Sequence, residues 1–83
     1  MIYPMYVIRD TKVGFDPQII LQMNEQSAVR GFQFMMSNEN SMQGKFPADY
    51  ELYKIGDYDT DSGIVDPVNP PKFIVNGGTI IEK

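Results

Sequence analysis

The chain has 83 residues, 7 basic against 11 acidic for a net charge of −4, and it contains neither cysteine nor histidine. That composition excludes disulfide staples, thiolate or imidazole metal sites and the usual general base of hydrolytic triads. So short a chain makes one domain, residues 1–83, which buries only ~60% of the surface its unfolded form exposes; self-association is the expected way to gain more.

Met1 to Arg9 reads as the first strand, with Met5 and Val7 on one side and Tyr6 and Ile8 on the other. Both faces are apolar, which predicts a central strand or one paired with another subunit. Pro4 cannot donate to a ladder and suggests an edge or a strand start. Asp10 to Gly14 is a turn, Phe15 to Gln18 a loop with one aromatic anchor, and Ile19 to Met23 a short apolar run that suits a helix start or a strand.

Asn24 to Ser37 carries the helix signal. Asn24 is a good N-cap and Glu25 sets negative charge at the positive end of the helix dipole. Ala28, Val29, Phe32, Met35 and Met36 fall on one face of a 3.6-residue period. Gly31 costs such a helix ~1 kcal/mol relative to alanine, which close packing on the sheet would explain. Ser37 to Ser41 ends the helix, and Met42 to Pro47 is an irregular crossing that Met42 and Phe46 tack onto the core.

Tyr50, Leu52, Tyr53 and Ile55 predict a strand, because aromatic and branched side chains suit a pleated surface. Asp57 to Gly63 reads as an acidic turn that ends it, with Gly63 free to take positive φ, and Ile64 and Val65 resume a second arm. Asp66 to Pro71 holds three prolines and predicts a stiff connector outside any helix or central strand. Lys72 to Val75 is a strand, and Asn76-Gly77 is the dipeptide of a type I′ turn, after which Thr79 to Ile81 pairs back or lies against another subunit. The fold class is therefore α+β, one α-helix packed on a small antiparallel β-sheet in the order β-α-β-β-β, as a homo-oligomer. A compact barrel or OB-like sheet is the alternative.

Asp57, Asp59 and Asp61 have the first three spacings of a calcium loop, but glycine falls at the seventh position and Val68 stands where a bidentate glutamate belongs. A solvated hairpin loop is the expected reading, with no metal and no cofactor. The cations near aromatic residues are a different matter. Single-stranded nucleic acid is held by a cationic groove and rings on which bases stack. Arg9, Lys12, Tyr53 and Lys54 would supply both if they shared a sheet face or its edge, with Arg30 and Lys45 as further candidates. The competing expectation is that Tyr53 is core and the lysines are solvated surface. The net charge argues against non-specific polyanion binding.

DYELYKIGDYDTDSGIV, with Asp10-Thr11-Lys12 before it and Pro70-Pro71-Lys72-Phe73 after it, resembles the small non-structural protein of gokushovirus-type microviruses. These are tailless phages with circular single-stranded DNA genomes. Ala28-Val29-Arg30-Gly31-Phe32 and Lys45-Phe46-Pro47 extend the resemblance over most of the chain. It implies an early phage protein acting in single-stranded DNA genome replication or packaging, described as DNA-binding, with no catalytic residue set. The alternative is a non-enzymatic module that binds a phage or host replication protein, or a procapsid, through its acidic hairpin. No apolar run is long enough to cross a membrane as a helix and no signal peptide is expected, which makes the host cytoplasm the expected location.

Overall fold

In the computed structural model, which describes residues 1–81, the elements in chain order are β1 (Ile2–Asp10), β2 (Gly14–Phe15), β3 (Ile20–Leu21), α1 (Glu25–Met36), α2 (Met42–Lys45), a 3-10 turn (Pro47–Asp49), β4 (Tyr50–Asp59), β5 (Val65–Asn76) and α3 (Gly77–Ile81). β1 is central, as its two apolar faces require: β4 lies on one side and the short β2 and β3 share the other, with β5 outside β4. Every pairing is antiparallel. The expected small α+β architecture forms, with α1 as the main helix on a curled sheet.

Alternation along β1 and β4 sends Tyr6, Ile8, Tyr50 and Leu52 to one side, where they meet Ala28, Phe32 and Met36 of α1. Ile20, Val75, Ile80 and Ile81 pack around this cluster. The helix starts as its sequence dictates, for the Asn24 side-chain oxygen accepts the Ser27 N–H at 2.8 Å. Met42 and Phe46, expected to anchor the crossing, are instead more than half exposed. Nor does close packing explain Gly31, since a Cβ there would meet only the Gln22 side chain at 4.0 Å.

Two buried tyrosines give the core a pH limit. The Tyr6 phenol is pushed up from its ordinary value, first by burial and then by Glu25 and Asp57. Tyr50 is raised by burial, then by Asp10 and Asp49. A folded pKa above the unfolded one gives stability that is complete below the unfolded value of about 10 and is lost as pH rises through the folded value. On the alkaline side the melting temperature is thus expected to hold to about pH 10 and to fall above it, where unfolding releases both protons. A melting temperature that stayed flat through strongly alkaline pH would contradict it.

Three expectations fail for physical reasons. β4 does not end at Asp57: Asp57, Tyr58 and Asp59 stay in the sheet because Pro4, Tyr3 and Ile2 of β1 pair with them. Lys54 also pairs with Asp57, 3.2 Å away, so the acidic turn is confined to the residues after Asp59, with Gly63 at φ 76°. The prolines likewise sit inside β5, which tolerates them as the edge strand whose outer ladder has no partner among the described residues. Between the pairs Gly56–Pro67 and Lys54–Lys72, four residues of β5 bulge past the single residue Ile55.

Asn76-Gly77 makes no hairpin turn. The Asn76 side chain accepts the Gly78 N–H at 2.8 Å and donates to the Ala48 carbonyl at 3.0 Å, and α3 follows instead of a strand. Gly77 is required there because a Cβ would run into the Pro47 carbonyl oxygen and the Met36 sulfur.

Candidate nucleic-acid interface

The side of the sheet away from α1 carries the odd-numbered residues of β1, and no described helix packs on it. Val7 is 4% exposed and stands opposite Tyr53 of β4, which in turn faces Phe73 of β5. β2 folds back so that Phe15 pairs with Arg9. The three rings form a row across the strands. Phe15 and Tyr53 meet edge to face at 5.3 Å, and Tyr53 and Phe73 at 5.7 Å. Such T-shaped contacts are the favoured aromatic geometry. Both outer rings are about half exposed.

One cation lies directly on this row. The Arg9 guanidinium sits 5.7 Å from the Phe15 ring centre, within the range of a cation–π contact. Its cross-strand partner Glu51 approaches at 3.5 Å and also accepts the Tyr53 hydroxyl at 3.1 Å. Arg9 thus lies between the Glu51 carboxylate and the Phe15 ring. Lys12 lies in the exposed turn between β1 and β2, three residues before Phe15. Its backbone N–H is bound by the Asp10 carboxylate at 2.9 Å.

The remaining candidates go elsewhere. Lys54 is paired across the strands with Tyr6, which puts it on the helix side of the sheet, tied to Asp57. Arg30 is exposed on α1 and Lys45 ends α2, both in the helical layer. The sequence candidates therefore divide into Arg9 and Tyr53 at one place, Lys12 in the turn that leads into β2, and Lys54, Arg30 and Lys45 elsewhere. Phe15 and Phe73 belong to the site and were not among the candidates. A signal for Phe15 was available, since a tight turn after Asp10 brings it back beside Arg9.

The acidic hairpin is partly neutralised from within. Besides the Lys54–Asp57 pair, the Met1 amino group lies 2.9 Å from Asp61 and 3.7 Å from Asp59. The Asp59 carboxyl is held below its ordinary value, chiefly because it accepts the Asp61 backbone N–H at 2.9 Å. Asp59 and Asp61 thus share the Met1 amino group, while Asp57 faces Lys54.

These features define a class: a small two-layer α+β domain whose sheet leaves one aromatic face open. The chain belongs to the phage ORF5 protein family, whose model matches residues 3–80. Comparison with curated proteins and with solved structures returned no match. Among the described residues, no helix is long and apolar enough to cross a membrane.

Proposed function

We propose that this phage protein binds single-stranded DNA on the open sheet face and acts in replication or packaging of a single-stranded DNA genome of the microvirus type, in the host cytoplasm. The row Phe15–Tyr53–Phe73 with Arg9 over its first ring carries the reading. Rings spaced 5.3 and 5.7 Å apart on an uncovered sheet suit bases that have left a duplex, because every base has a face to stack and each stack contributes ~1–3 kcal/mol. Arg9 would leave Glu51 for a phosphate, and Lys12 would take the next one.

Among the described residues Arg9 lies over a ring and Lys12 sits in the turn that leads into Phe15; with two phosphate contacts from these, stacking dominates and salt matters little. With about 0.7 counterions released per phosphate on a single strand, the log–log slope of affinity against salt is expected near −1.4. Fluorescence anisotropy of a labelled oligothymidylate, repeated over a salt series, measures it. Absence of binding at low salt rejects the reading, and a much steeper slope would move the contact to the lysines of the helical layer.

The separation of Lys54, Arg30 and Lys45 from this face favours a second reading, in which the chain docks a basic replication or procapsid protein through its acidic hairpin. The net charge of −4 suits such a partner. Asn at positions 57, 59 and 61 separates the two readings, since it leaves the ring row untouched.

A further inference from the structure

We propose that a second copy of this chain covers the outer half of the sheet, joining two protomers through a three-stranded arm. The core cluster takes side chains from β1 only at Tyr6 and Ile8 and from β4 only at Tyr50 and Leu52. Residues Ile2 to Met5, Ile55 to Asp59 and the start of β5 continue the sheet beyond it. Among the described residues, none of these side chains joins the core. A few short strands with no packed face are not stable by themselves in water.

The molecule's dimensions agree. It measures 40 × 23 × 19 Å with a radius of gyration of 13.0 Å, against about 11.8 Å for a compact chain of this length. Its accessible surface is 5658 Å², where a compact monomer of this mass would expose about 5,000 Å². The surplus approaches the ~800 Å² that each partner buries in a stable complex. Apolar side chains contribute to it: on and beside the arm, Met1, Ile2, Leu21, Met23, Ile64 and Val65 are each about half exposed or more. A groove of about 250 Å³ between Tyr3, Leu21, Met23 and Thr60 offers a seat for one of them.

The arm's chemistry points to a copy of itself and to a face-to-face contact. Lys54 and the Met1 amino group offset Asp57 and Asp61 within each protomer. Asp66, paired across the strands with Asp57, lies on the other side of the sheet from Tyr58 and Val65, so two arms can meet on the Val65 side without stacking its charge. Pairing along the outer edge is blocked by Pro67, Pro70 and Pro71 and by the bulges of β5. A two-fold contact between identical apolar surfaces is the commonest way such a patch is covered.

Sedimentation velocity of the intact chain is the test. The expected result is a species of twice the 9.5 kDa chain mass at micromolar concentration. Leu21→Glu and Val65→Glu should each shift it to a monomer with an unchanged circular dichroism spectrum, while Phe34→Glu, on the far helix face, should leave the dimer intact. A wild-type chain that is monomeric at high micromolar concentration overturns the proposal, as does a dimer that survives both arm substitutions. Should the arm variants fail to fold, hydrogen exchange of the wild type decides: amides of Tyr58 and its neighbours should gain protection as concentration rises, and a concentration-independent rate counts against the arm contact.

Discussion

Replacing Phe15 and Phe73 together by alanine is expected to remove most of the affinity for single-stranded DNA. Each ring contributes ~1–3 kcal/mol if a base stacks on it, so the double variant should lose about 30-fold at the low end and far more at the high end. These two are the informative rings because both are about half exposed and neither belongs to the core cluster. Tyr53 is a poorer target: it stands opposite Val7 and its hydroxyl holds Glu51, so its loss would disturb the face as well as the stack. Phe34→Ala serves as the control, since that ring is 79% exposed on α1 and outside the row. Anisotropy titration at constant salt reads the effect, with circular dichroism to confirm the fold. A change of less than twofold in the double variant would mean that no base touches the rings.

The parts of this fold that were legible in the sequence are those where local chemistry and tertiary packing agree. Asn24 caps α1 and the stripe Ala28–Phe32–Met36 is buried because capping and a 3.6-residue period both act within the helix. The even positions of β1 reach the core for the same kind of reason. Where the two disagree, packing wins. Asp57 and Asp59 prefer turns in isolation, but a ladder to Pro4 and Ile2 and the ammonium of Lys54 keep them extended. The prolines of β5 are compatible with a strand only because nothing described lies outside it, and edge position is a property of the whole sheet.

The site was half legible for a related reason. Tyr53 and Lys54 are adjacent in a strand, so their side chains must point to opposite sides, and a period of two already separates them. Arg9 and Tyr53 share a face because Val7, two residues from Arg9, pairs with Tyr53. Phe15 returns beside Arg9 through a local turn, but Phe73 could be placed only after the order of strands was known, since it reaches the row from the opposite edge of the sheet. The residue Ile55, with no partner in β1 where the register shifts between Met5 and Tyr6, then reverses which residues of β4 face outward. That shift moves Tyr58 to the same side as Tyr3, which the sequence alone gives no means of finding.

Phe32→Ala is expected to bring the protein to the edge of unfolding. A chain of 83 residues has roughly 4–12 kcal/mol of stability in total, and loss of a fully buried phenylalanine costs about 3–5 kcal/mol through transfer and cavity together. Phe32 is 1% exposed and, among the described residues, belongs to a cluster of seven buried side chains ringed by partly buried ones, so its loss opens a cavity at the centre of a small core. No disulfide offsets the loss, because the chain has no cysteine. Two residues along the same helix, Phe34→Ala should change stability by about 0.5 kcal/mol at most, since its ring is in water. Urea denaturation at fixed protein concentration measures both, the fixed concentration being needed because association adds stability by mass action. If the Phe32 variant lost less than the Phe34 variant, α1 would present the other face to the sheet, and the side assigned to the open ring row would be wrong with it.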